Sequence, residues 1–130
     1  MSESEREQRT AVYAIDERSF ALAVRIVRLV KHLARAGVDR TLTRQLLRSG
    51  TSVGANITEA QAAQSRRDFI AKMSIAHKES REARYWLRLI GATEAALVDR
   101  LTPLQQELDE VGRILASILK RTKDNNATPM

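Results

Sequence analysis

Cysteine is absent from this 130-residue chain, which removes disulfides, zinc–thiolate sites and thiol nucleophiles. Two prolines and five glycines leave few positions that break a helix. Aromatic residues make up only 4 %, which argues against single-strand recognition by base stacking. No run approaches the roughly 20 apolar residues that cross a bilayer. The opening MSESEREQRT lacks the apolar stretch of a secretory signal. A cytoplasmic location with no membrane partner is expected. Walker loops, G-x-G-x-x-G and H-E-x-x-H are missing. His32 and His77 also lack the Glu-x-x-His spacing of metal-binding bundles, because Leu29 and Ser74 stand where the glutamates belong. They read as partly exposed helix residues. The expectation is therefore no catalytic residue, no metal and no cofactor.

What is present is helix-forming. Leu, Ala, Arg and Glu dominate, and apolar residues recur at helical period. A first helix is predicted over 16–36, with Asp16 and Ser19 as N-cap candidates and Gly37 just past its end. It carries two apolar stripes, Phe20–Val24–Val27 and Leu22–Ile26–Leu29–Leu33. A second helix starts between Asp39 and Thr43 and ends near Ala63, its core stripe running Leu42, Leu46, Gly50, Val53, Ile57. The stripe stays in phase through SGTSVGAN, so the helix reads through Gly50 and Gly54, whose small size admits a neighbouring helix. A third helix, capped by Ser65 with Asp68 three residues on, follows the seam Phe69, Met73, Ala76, Ser80, Ala83, Leu87, Ile90 to about Gly91. A fourth begins at Thr102-Pro103, with proline in the first helical position, and reaches about Lys123. Residues 1–14 and 124–130 are expected to be flexible ends. The fold predicted is all-α, one up-down four-helix bundle over 1–130.

Three sets of residues stand out beyond the core. Lys and Arg number 22 against 16 Asp and Glu, a net charge of +6. The basic residues crowd between 25 and 48: Arg25, Arg28, Lys31, Arg35, Arg40, Arg44 and Arg48, with Asp39 the lone acid. A surface that only needs solvation mixes both signs, as Lys78, Glu79, Arg81, Glu82, Arg84 and Arg88 do. The first hairpin is thus the candidate for nucleic-acid phosphates. Ser49, Ser52, Asn56 and Glu59 share one face of the second helix and, with Glu82, suggest a polar layer between helices, structural and not catalytic. Finally, Tyr85, Trp86 and Leu89 lie off the third helix's seam. Such surplus apolar surface makes them candidates for a homo-oligomer interface.

SVGANITEA (52–60) and SRRDFIAKMSIAHKESREARYWLRLI (65–90) resemble the bacterial four-helix-bundle family of 23S rRNA intervening-sequence proteins. The signatures are Asn56-Ile57-x-Glu59, Asp68-Phe69-x-x-Lys72-Met73 and Lys78-Glu79-x-x-Glu82-x-x-Tyr85-Trp86-Leu87. Ala60 departs from the glycine many members carry after the glutamate. The resemblance implies a four-helix bundle that assembles as a ring-shaped homopentamer. Some members are encoded within ribosomal RNA intervening sequences. Related accessory proteins of diversity-generating retroelements bind a reverse transcriptase and nucleic acid. The expected function is a non-enzymatic, homo-oligomeric scaffold that binds RNA or DNA, with a nucleic-acid enzyme as protein partner. The alternative is a protein–protein adaptor that binds no nucleic acid. Acidic residues of the fourth helix covering the Arg25–Arg48 surface would favour the adaptor.

Overall fold

The computed structural model describes residues 1–127 and contains helices α1 (Glu3–Arg35), α2 (Arg40–Gln61), α3 (Arg66–Thr93) and α4 (Val98–Ala127), with a short 3-10 turn at Ala95–Leu97. Each helix packs against its neighbours in chain order, and α4 closes the ring against α1, so the bundle is up-down and antiparallel. The core is one continuous cluster. Ile26, Leu33, Leu46, Val53, Ile57, Met73, Leu87, Leu108 and Leu115 are completely enclosed. Each such side chain contributes about 1.5–3 kcal/mol through burial.

The turns follow from the local sequence. Gly37 takes φ +84°, where only glycine sits without strain, and Val38 N–H then donates to Leu33 O at 3.0 Å. Asp39 caps α2 by accepting from Thr41 N–H at 2.7 Å. Ser65 caps α3 by accepting from Asp68 N–H at 3.0 Å. Through the middle of α2 the helix is unbroken. A Cβ added at Gly54 would stand 3.2 Å from Ser19 O, and one at Gly50 would stand 3.0 Å from Ile26 side-chain atoms. The two glycines therefore set how closely α1 and α2 approach. Ala60 is buried inside the same regular helix.

Three boundaries differ from the sequence expectation. α1 begins at Glu3, not near Asp16. Ser2 and Glu5 form a capping box, and Gln8 Nε2 donates to Thr122 Oγ1 of α4 at 2.6 Å. Val12 and Ile15 extend the buried stripe. With so few apolar residues in this stretch the periodicity is faint, although the helix is capped and docked. Asp16 and Ser19 are thus interior positions, where Asp16 accepts from Thr58 Oγ1 at 2.7 Å and Ser19 lies fully buried beside Gly54. α4 begins at Val98, led in by the 3-10 turn, and Pro103 lies inside it. Thr102 Oγ1 donates to Val98 O at 2.9 Å in the turn where proline offers no N–H. At the other end, the expected flexible tail 124–130 is helical to Ala127, and residues 128–130 lie outside the described residues.

Candidate nucleic-acid interface

The antiparallel hairpin brings the end of α1 beside the start of α2, and this connectivity gathers the basic residues. Arg28, Lys31 and Arg35 occupy the last turns of α1, and Arg40 and Arg44 the first turns of α2. All five are exposed. None forms an ion pair among the described residues. Uncompensated guanidinium and ammonium groups at one end of the bundle form a positive cap.

Arg25 and Arg48 stand apart from that cap. Arg25 turns toward α4, where it adds to the field on Glu107. Arg48 points to α3. Its Nη1 donates to both carboxylate oxygens of Glu79, at 3.3 and 3.2 Å, and its Nη2 pairs with Glu82. Glu79 is only 7 % exposed, so Arg48 is the cation that neutralises a buried acid. Its role is structural.

The polar layer expected from Asn56, Glu59 and Glu82 is not one layer. Asn56 is half-buried, and its Nδ2 donates to Ser52 O and Ser52 Oγ on its own helix, at 2.8 and 3.0 Å. Glu59 is exposed and meets Lys72 at 3.6 Å. Glu82 belongs with Arg48 and Glu79. Residues separated by three or four positions share a helix face, so Ser52 and Asn56 satisfy each other before reaching α3. The buried polar link between α2 and α3 is Arg48–Glu79–Glu82, with Glu59–Lys72 a second, exposed one, and Arg48 belongs to the set read from the sequence as the basic surface.

The mixed charges of α3 separate in space. Glu79 and Glu82 turn to α2. Arg81, Arg84 and Arg88 turn to α4 and line a cleft with Tyr85, Gln105 and Gln106. Of the interface candidates, Tyr85 is 54 % exposed, whereas Trp86 and Leu89 are half-buried and Trp86 packs on the core. Tyr13 and Phe20 are also exposed, at 62 % and 70 %. Three of the five aromatics, Tyr13, Phe20 and Tyr85, are thus exposed, which weakens the sequence-based objection to base stacking.

Between α1 and α4 the charges are paired. Arg18 donates to both oxygens of Glu107 at 2.8 and 2.7 Å, and reaches Glu110 at 2.9 Å. The hydrogen bonds from Arg18 hold the Glu107 carboxyl below its ordinary range against the opposing effect of burial. A carboxylate depressed in the fold adds stability above its unfolded value, near 4.5, and that stability is lost as pH falls through the folded value. Glu107→Gln is expected to cost about 1 kcal/mol at pH 7. Urea titrations of both proteins should converge once the pH drops below the range in which Glu107 is ionised.

Among the described residues no three His, Asp or Glu side chains converge as metal ligands, and no helix is long and apolar enough to cross a membrane. The 23S rRNA-intervening sequence protein family model matches residues 13–117. A crystal structure of a protein of unknown function from the S23 ribosomal protein family of Bacteroides thetaiotaomicron superposes with a TM-score of 0.80 at 42 % identity, covering 85 % of this chain and 98 % of the other. Comparison with curated proteins finds no match.

Proposed function

The chain belongs to the 23S rRNA-intervening sequence protein family, and from that premise we propose a non-enzymatic, self-associating helical scaffold that binds nucleic acid through its phosphate backbone. One observation carries the reading: Arg28, Lys31, Arg35, Arg40 and Arg44 are exposed at one end of the bundle without a carboxylate partner among the described residues. Arginine and lysine on phosphates supply affinity and position without reading bases. The adaptor alternative needs acidic cover on this surface. Among the described residues such cover lies at its edges, where Glu107 and Glu110 of α4 occupy Arg18, Glu107 neighbours Arg25, and Glu79 and Glu82 of α3 hold Arg48. The test is binding of duplex DNA across a salt series, with and without these arginines.

Self-association rests on a separate feature. Tyr13, Phe20 and Val27 repeat at seven-residue steps along the outer side of α1 and are 62 %, 70 % and 36 % exposed. An apolar stripe of that length on a monomer surface marks a contact. Light scattering at micromolar concentration is expected to give a multiple of 14.6 kDa, with five subunits the proposed number, and Phe20→Glu should return it to 14.6 kDa. A wild-type mass of 14.6 kDa would remove self-association from the proposal.

A further inference from the structure

The cleft between α3 and α4 has a volume of about 540 Å³ and shares no residue with the basic cap. Arg81, Arg84 and Arg88 follow steps of three and four, so they run along one side of α3 over about 10 Å. Asp109 crosses from α4 to pair with Arg84 at 3.2 Å and Arg113 at 3.0 Å. It orients two guanidiniums and leaves the cleft strongly positive, because Arg81 and Arg88 have no ion-pair partner among the described residues. His77 lies beside Arg81, and burial first, then Arg81 and Lys123, hold its pKa below the ordinary value. Arg81 and Lys123 thus add to the positive field there, second to the effect of burial.

Charge is only part of the lining. Tyr85 is 54 % exposed at the cleft wall. The Trp86 ring meets it edge-on, with centroids 5.1 Å apart and planes at 80°, which fixes the orientation of the tyrosine. Gln105 and Gln106 on the opposite wall carry amides without hydrogen-bond partners among the described residues. A fixed aromatic face, free amides and a row of guanidiniums are the three elements of single-strand recognition: stacking, base-edge hydrogen bonds and phosphate contacts.

Resting on the nucleic-acid reading above, we infer that this cleft holds a segment of single-stranded nucleic acid, its phosphates on Arg81, Arg84 and Arg88 and one base stacked on Tyr85. A duplex keeps its base faces inside its own stack and cannot use Tyr85. An acidic peptide satisfies the arginines but leaves the tyrosine face and both amides without a role.

The test uses the full chain and three fluorescent probes: an oligoadenylate of about ten nucleotides, a duplex of the same length and a polyglutamate peptide. Tyr85→Ala is expected to weaken oligoadenylate binding about tenfold, in line with the loss of one stacked base, and to leave duplex binding unchanged. Tyr85→Phe should keep wild-type affinity, which separates stacking from any effect of the hydroxyl. The single tryptophan, Trp86, should change emission with oligoadenylate and not with duplex. Oligoadenylate affinity unchanged in Tyr85→Ala would overturn the inference, as would polyglutamate binding as tightly as oligoadenylate. If duplex binding depends on the α1–α2 arginines while Tyr85→Ala is silent, only this inference falls. If no probe binds the wild-type protein, the proposed function falls with it.

Discussion

Arg48→Ala is expected to destabilise the protein by about 2–3 kcal/mol, the largest loss from any single surface arginine. The reason is what it leaves behind. Glu79 is 7 % exposed and takes both its charge-assisted hydrogen bonds from Arg48 Nη1. Glu82 pairs with the same guanidinium. Without it, two carboxylates one helical turn apart face α2 with no cation between them, and one of them, Glu79, has little access to water. The figure sits below that for a fully buried pair because the Arg48 side chain is 50 % exposed, so water screens part of the charge. For a domain of this size the loss corresponds to a melting temperature roughly 10 °C lower. Arg44→Ala, one turn away and with no ion pair among the described residues, should change stability by no more than about 0.5 kcal/mol. The triple variant Arg48→Met with Glu79→Leu and Glu82→Gln should recover much of the loss, since removing the cation together with both carboxylates leaves no unpaired charge at this contact. Urea unfolding of the four proteins checks this. Equal, small effects for Arg48→Ala and Arg44→Ala would show that Glu79 is solvated in solution.

This case shows where the sequence was informative and where it stopped. Hydrophobic period and caps are local properties, so α2 and α3, Gly37 and the Ser65 cap were readable from residue order. Gly50 and Gly54 were readable too, because the apolar stripe keeps its phase through them. The start of α1 was faint because its first turns are held by a capping box and by Gln8 reaching Thr122, which leave little apolar pattern. The arrangement of the surface charges was harder still. Residue order shows that charges on α3 alternate in sign. It does not show that Glu79 and Glu82 turn to α2 while Arg81, Arg84 and Arg88 turn to α4. That separation needs the identity of the neighbour on each side. For the same reason Arg48 looked like a member of the basic surface, although it is the internal counter-ion of a buried glutamate. The exposed positions of Tyr13, Phe20 and Tyr85 were likewise hidden behind their low number.

The second large effect concerns binding. Five cations without an ion pair among the described residues, Arg28, Lys31, Arg35, Arg40 and Arg44, each releasing one phosphate counter-ion, give a slope of log affinity against log salt near −4.5 on duplex DNA. Affinity should then fall about 500-fold between 50 and 200 mM salt. Replacing Arg28, Arg35, Arg40 and Arg44 by Gln leaves one cation and a slope near −1, so the same change of salt should cost only about fourfold. The four side chains lie outside the core and carry no ion pair among the described residues, so the variant should fold as the wild type does. Arg48 is excluded from the set because its loss would unsettle α2 against α3.

The most direct measurement is therefore fluorescence anisotropy of a labelled duplex titrated with wild type and with the four-glutamine variant across a salt series, alongside circular dichroism of both. The expected result is a steep slope near −4.5 for the wild type and a shallow slope near −1 for a variant with an unchanged helical spectrum. Wild-type protein that does not bind at low salt, or a well-folded variant whose slope matches the wild type, would contradict the account.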